Sequence, residues 1–267
     1  MNEQASGDDH STVTLTPHLS IVVPAYNEID RIGGSLKRMM EYFDAQSYAY
    51  EILVIDDGST DGTLDLVKSL AGDHEQVSAF HYDGNRGKGY AVRYGILRSK
   101  GKFILFSDAD LATPIEEVEH LFEGIKSGCD VAIGSRDVVG SKLEKRQSVI
   151  RELGGKVFNK LVQKLAVPGI HDTQCGFKLF THHAAYNIFS CCQVDNFSFD
   201  VEALYLSRQF NFSIAEIPVR WHHVEGSKVR VVRDSVRMLR TLYKIRATDY
   251  QKKISERTDA SASTLHL

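Results

Sequence analysis

Five short apolar runs, each set apart from the next by a segment of helical character, fill the first half of this 267-residue chain. Few folds are open to such a pattern. The runs are HLSIVVPAY (18–26), YEILVIDD (50–57), QVSAFHY (76–82), KFILFSD (102–108) and CDVAIGSR (129–136). Between them lie IDRIGGSLKRMMEYF (29–43), TDGTLDLVKSLAG (60–72), GKGYAVRYGILRSK (87–100) and PIEEVEHLFEGIKSG (114–128). In the first of these, Ile32, Leu36, Met39, Met40 and Phe43 recur at helical spacing. Thr60 or Asp61 reads as the N-cap of the second helix, and Pro114 as a first-turn residue of the fourth. Runs of four to eight apolar residues alternating with helices predict an α/β fold, a mainly parallel sheet covered by helices on both faces. In such a sheet the ligand sits beyond the carboxyl ends of the strands.

Three of those ends carry polar clusters. They read Pro24-Ala25-Tyr26-Asn27-Glu28, then Asp56-Asp57-Gly58-Ser59, then Asp108-Ala109-Asp110. Any one could be turn chemistry, since Asp and Asn form turns readily. Three on one rim point to a site. It is not a nucleotide loop of the common kinds. A Walker loop over GNRGKGYAVRYG (84–95) needs Gly at 82 and Ser or Thr at 89, where this chain has Tyr82 and Gly89. The first strand turns through PAYNE without glycine, which rules out the dinucleotide fingerprint. The Asp-x-Asp pair suits a hard divalent ion, Mg²⁺ or Mn²⁺, holding phosphate oxygens.

Composition bounds the rest. Net charge is -3, so nothing draws the chain as a whole to nucleic acid. No window approaches 18 unbroken apolar residues, and Met1 to Pro17 lacks the apolar stretch of a signal peptide. Cys129, Cys175, Cys191 and Cys192 show neither metal-ligand spacing nor a disulfide frame, so free thiols in a reducing compartment are expected.

SIVVPAYNE, ILVIDDGSTDGT, NRGKGYAVRYG and FSDADLATP together resemble the family 2 inverting glycosyltransferases, which have the GT-A fold. IGSR (133–136), DTQCGFKLF (172–180), FSFDVEALYLS (197–207) and EIPVRWHHVEGSK (216–228) are similar to the polyprenyl-phosphate sugar transferases, and within them to the dolichyl-phosphate β-glucosyltransferases. Ala112 stands where the mannosyl enzymes usually have Gln two residues past the Asp-x-Asp, and QCGFK departs from their Ser-Gly-Phe-Arg, so glucose is favoured over mannose.

The resemblance implies roles. Pro24 to Glu28, with Asp56 or Asp57, would hold uracil and ribose, Tyr26 by stacking. Asp108 and Asp110, flanking Ala109, would hold the metal on the diphosphate, and Lys88 and Gly89 would approach diphosphate or sugar. UDP-glucose and a polyprenyl (dolichyl) phosphate would be the substrates. A phosphate nucleophile is already anionic and needs cations rather than a base. Arg136, Arg146, Arg151 and Lys228 are the candidates. Asp172 would organise that side, or act as base if the acceptor were a hydroxyl; His222 and His223 would line the mouth at most. The alternatives are GDP-mannose as donor, or a hydroxyl of a glycolipid or glycan as acceptor.

Two basic amphipathic segments suggest peripheral contact with the cytoplasmic face of a membrane. In 228–246, Val232, Val236, Leu239 and Tyr243 share a stripe beside Arg233, Arg237, Arg240 and Lys244. In 148–167 the stripe is Val149, Leu153, Val157, Leu161 and Leu165. The expected organisation is a tail (1–17), one catalytic domain (18–247) with a donor half to about 136 and an acceptor half built as a helical extension, and a disordered tail (248–267).

Overall fold

A computed structural model of the chain describes residues 16–143, 166–222, 240–250 and 252. The apolar runs form β1 (Leu19–Ala25), β2 (Tyr50–Asp56), β3 (Val77–His81), β4 (Phe103–Ser107) and β5 (Val131–Ser135). The intervening segments form α1 (Ile29–Asp44), α2 (Thr63–Asp73), α3 (Lys88–Ile96) and α4 (Val118–Lys126), the last entered through a 3-10 turn at Ile115–Glu117 that Pro114 precedes. The second half adds β6 (Lys142–Leu143), β7 (Phe177–Thr181), α5 (His182–Cys191), α6 (Phe199–Gln209), β8 (Ile214–Pro218) and β9 (Arg220–Trp221).

Seven strands make one sheet in the order β3-β2-β1-β4-β7-β5-β8. All its pairings are parallel except those of β7, which runs antiparallel to β4 and β5. The second half is therefore more than a helical extension: it threads β7 into the middle of the sheet and β8 onto its edge. The direction of β7 follows from where the chain enters. Gly176 accepts from the Asp108 amide at 3.0 Å, so the segment comes in at the carboxyl end of β4 and must run backwards. The sequence patterning assigned no strand there, because Lys178 interrupts a run of only five residues.

Alternate strand residues serve two cores. Leu19, Ile21 and Val23 face α1, α2 and α4, whereas Val22, Ile104 and Phe106 face α3, α5 and α6. The α1 stripe lands where its periodicity put it, with Ile32, Leu36, Met39, Met40 and Phe43 all buried. Each fully buried side chain of this kind contributes about 1.5–3 kcal/mol. The residue before α2 is Gly62, in the left-handed region, and not Thr60 or Asp61. Asp61 sits one place earlier, where its carboxylate accepts from the Thr63 amide at 3.0 Å and the Ile29 amide at 3.2 Å.

Residues 240–247 are helical. Their core contact is made by Leu242 and Ile245, while Tyr243 stays 79% exposed beside exposed Arg240 and Lys244. Ordered packing also runs past the expected boundary at 247, since Tyr250 is buried and donates to Glu202. Among the described residues no helix is long and apolar enough to cross a membrane.

Candidate active site

The carboxyl ends of β1 and β2 are stitched to each other before they face anything else. Asn27 takes a left-handed φ of 52°. Its amide donates to Ser59 Oγ at 2.9 Å, and its Oδ1 accepts from the Thr60 amide at 2.8 Å. The Glu28 amide donates to Thr63 Oγ1 at 2.8 Å. These bonds fix PAYNE as a rigid shelf, with Glu28 held 2.7 Å from Arg31 Nε. Asp57 builds the neighbouring wall. Its carboxylate accepts from Tyr82 Oη at 2.9 Å, Asn85 Nδ2 at 3.0 Å, the Arg86 amide at 2.7 Å and the Gly87 amide at 2.9 Å. Asp56 lies underneath, 2% exposed, accepting from the Ser59 amide at 3.1 Å while its Oδ1 has no hydrogen-bond partner among the described residues.

A cavity of about 340 Å³ opens between these shelves and the end of β4. Pro24, Tyr26, Glu28, Asp57, Lys88, Asp108, Ala109 and Asp110 line it, so eight of the sequence-derived donor residues meet in one place. Gly89 does not. Its amide donates to Asp195 O at 2.8 Å, and a Cβ there would lie 2.4 Å from Val194 O. It is a packing glycine that lets the 194–196 backbone lie against α3.

The two carboxylates of the Asp-x-Asp are handled differently. Asp110 Oδ1 accepts from the Ala112 amide at 3.1 Å, closing a tight turn in which Leu111 adopts a φ of 48°, uncommon for leucine. Burial, and then the Asp108 charge, push the Asp110 carboxyl above the usual range. Lys88 Nζ lies 2.6 Å from Asp108 Oδ1, a close charge pair. Burial works against the Lys88 charge, but Asp108, followed by Asp200, outweighs it and holds the ammonium firmly protonated. Two neighbouring carboxylates lining the cavity, one of them resisting ionisation, form a donor set that a hard divalent cation would satisfy. Among the described residues no group of three or more His, Cys, Asp or Glu side chains is placed to hold a metal.

Three further residues shape this end, and the sequence patterning gave none of them a role although all lie in the quoted motifs. A Cβ on Gly176 would sit 2.0 Å from Asp108 Oδ2, so only glycine leaves room for that carboxylate. Lys178, 1% exposed, donates to Asp200 Oδ1 and Cys175 O. Burial pushes the Asp200 carboxyl up, against the pull of Lys178 and Lys88. The Lys88 and Lys178 ammoniums lie 5.3 and 5.8 Å from the Phe106 ring centroid. Asp108, Lys88, Asp200 and Lys178 thus alternate in sign beneath the cavity.

Arg136, directly after β5, meets Asp172 outside the cavity lining. Arg136 donates to Asp172 through Nε at 2.7 Å, Nη2 at 2.8 Å and its own amide at 3.0 Å. Asp172 is 0% exposed, and burial alone would raise its carboxyl; the Arg136 guanidinium outweighs that and holds it below the ordinary range. Its oxygens are spent on Arg136 and do not face the cavity. The guanidinium lies 5.4 Å from the Trp221 ring centroid, and Trp221 lines a small depression together with Asp108 and Gly176. His222 joins this region through its amide, which donates to Ala112 O at 2.9 Å. Arg146, Arg151, Lys228 and His223 lie outside the described residues, as do 148–165 and 228–239 of the two amphipathic segments.

Comparison with known proteins agrees with this arrangement. The model of the family described as glycosyl transferase family 2 matches residues 20–189. A dolichyl-phosphate beta-glucosyltransferase of Dictyostelium discoideum is 39% identical over 243 residues, 86% of this chain and 74% of the relative. The Homo sapiens protein of the same name is 39% identical over 227 residues, 80% of this chain and 70% of the relative. Among solved structures, glucosyl-3-phosphoglycerate synthase from Mycobacterium tuberculosis with Mn²⁺, UDP-glucose and phosphoglyceric acid superposes with a TM-score of 0.63 at 18% identity, covering 86% of this chain and 79% of that one. At that identity the likeness speaks for the fold alone.

Proposed function

The chain belongs to glycosyl transferase family 2 and has its GT-A fold, and on that premise we propose that it transfers glucose from UDP-glucose to a polyprenyl (dolichyl) phosphate, with inversion, giving polyprenyl-phosphate β-glucose and UDP. The observation that carries the reading is the convergence of Asp108, Asp110, Lys88 and Tyr26 on one cavity in a chain 39% identical to relatives named for this reaction. Tyr26 and the shelf around it take the uridine, and Lys88 reaches the diphosphate. Asp108 and Asp110 would hold Mg²⁺ or Mn²⁺, which when bound would supply Lewis-acid compensation for charge on the departing UDP. The fold neighbour from Mycobacterium tuberculosis was solved with Mn²⁺ and UDP-glucose.

The acceptor side follows from what its residues have left to offer. A lipid phosphate arrives ionised and asks only for positioning and charge compensation. Asp172, sealed in its pair with Arg136, is poorly placed to take a proton from a hydroxyl, which favours the phosphate acceptor. Arg136, oriented by Asp172 beside Trp221, serves as phosphate ligand, with Arg146, Arg151 and Lys228 as further cations. Attachment is peripheral, at the cytoplasmic face of a membrane, through 148–167 and 228–246. Exposed Tyr243, Arg240 and Lys244 supply the described part of that surface.

The test is transfer from a panel of radiolabelled nucleotide sugars, with Mg²⁺, into extracted polyprenyl phosphate. Label entering the lipid from UDP-glucose, in an acid-labile product, is the expected result. Label from GDP-mannose instead, or label only in a hydroxyl-linked product, would replace the donor or the acceptor respectively.

A further inference from the structure

Five large apolar side chains are exposed among the described residues, and two of them, Tyr26 and Phe197, line the same cavity. They come from opposite halves of the chain. Tyr26 is accounted for by the uridine; Phe197, 40% exposed in a cavity it shares with carboxylates, Arg31, Lys88 and small apolar side chains, is not. Its exposure is not slackness of the loop. The Gly89 and Tyr90 amides donate to Asp195 O at 2.8 and 3.3 Å, Arg93 reaches Asp195 Oδ1 at 2.8 Å, and the Ser198 amide donates to Asn196 Oδ1 at 2.8 Å. Buried Glu202 accepts from the Gln193 and Val194 amides at 2.9 and 2.8 Å. Two residues on, Phe199 turns inward, 2% exposed, with its ring edge-on to Phe106 at 5.5 Å. The strap 192–198 therefore sends one phenyl ring into the core and holds the other over the site.

We infer that Phe197 is the platform for the transferred hexose and the residue that selects its gluco configuration; the inference rests on the UDP-glucose reading. Position supports it. The Phe197 ring centroid lies 5.8 Å from Lys88 Nζ, which itself touches Asp108, so the ring stands beside the place where the diphosphate would lie. The group joined to the far phosphate of a nucleotide sugar is the pyranose. Chemistry supports it too. The diphosphate leaves one face of the donor's glucose ring axially; the opposite face carries only the C–H bonds of C2 and C4, which suit the negative face of a phenyl ring. Mannose at C2 and galactose at C4 each put an axial hydroxyl on that opposite face, where against the ring it loses water without gaining a partner. An isoprenoid chain is a poorer occupant, because this ring stands beside Lys88 and the Asp108 carboxylate.

The experiment is calorimetric binding of UDP and of UDP-glucose, with Mg²⁺ and no acceptor, to the full chain and to Phe197→Leu, Phe197→Ala and Phe197→Tyr. UDP lacks the hexose, so it reports whether the cavity remains intact. The expected result is that the Leu and Ala variants weaken UDP-glucose by about tenfold and UDP by less than about twofold. The Tyr variant should retain affinity, and the preference for UDP-glucose over UDP-galactose should shrink in Leu and Ala. Equal weakening of UDP and UDP-glucose would overturn the inference, leaving the ring a structural part of the wall. So would unchanged donor binding with a raised KM for polyprenyl phosphate, which assigns the ring to the acceptor. Wild-type protein that binds neither nucleotide would overturn the donor reading itself and this inference with it.

Discussion

Charges lining the cavity and charges outside its lining are treated in opposite ways. In the cavity, burial holds Asp110 beside the like charge of Asp108. Outside its lining, Asp172 closes on Arg136 and Asp200 on Lys178, with Asp172, Lys178 and Asp200 at most 5% exposed and Arg136 27%. Like charges held together at low solvent exposure are costly to keep, so this contact in the cavity marks where a cation completes the structure. Satisfied pairs mark where the protein holds itself together and fixes what a ligand will meet.

The contrast is sharpest in substitutions that remove one carboxylate. Asp110→Asn should cut turnover about a thousandfold or more and leave the melting temperature unchanged or higher, because a like-charge contact is relieved. Turnover and thermal melting of the same preparation check both halves. Gly176→Ala comes next. Its new Cβ collides with the Asp108 carboxylate, so activity should fall about a hundredfold with only a modest loss of stability. A Gly176→Ala protein with normal turnover would separate Asp108 from the chemistry.

Asp172→Asn should behave in the reverse sense, losing about 1–3 kcal/mol of stability as Arg136, 27% exposed, is left without its counter-ion. Its pH signature has a definite sign. The folded carboxyl lies below its unfolded value. The pair therefore contributes fully above the ordinary carboxylate pKa of about 4, and that contribution is lost as pH falls through the lowered folded value. Denaturant unfolding at several acid pH values should show this limb in the wild type and lack it in the Asn variant. Activity per folded molecule should carry no base-like limb near that pH. The smallest effect belongs to Tyr26→Ala, where loss of base stacking should raise the KM for the nucleotide sugar by about fivefold to tenfold with kcat and melting temperature nearly unchanged.

The parallel part of the sheet was legible because buried strands need continuous apolar runs, and β1 to β5 have them. The rim was legible for the same reason: a polar residue directly after such a run has nowhere to point but the carboxyl edge. β7 was hidden because Lys178 can bury its stem and ammonium once Asp200 and Cys175 receive it, partners that lie 22 and 3 residues away. Periodicity does not register a pairing of that kind. Asp172 was legible as an important residue but not in its state, since residue type does not say whether a carboxylate is already spent on an arginine 36 residues earlier. Gly89 shows the converse. A glycine in a loop of phosphate-binding appearance is needed for a close approach of backbone to Asp195, and its amide goes there.

The account stands most directly on one measurement, the initial rate of glucose transfer from radiolabelled UDP-glucose into polyprenyl phosphate, per folded molecule, for wild type, Asp110→Asn and Asp172→Asn side by side. The account predicts lipid-linked label from wild type, a rate near background for Asp110→Asn, and a substantial residual rate for the folded fraction of Asp172→Asn. Full activity in Asp110→Asn would contradict it, as would abolition by Asp172→Asn in protein shown to be folded, which would make that buried carboxylate the base of a different reaction.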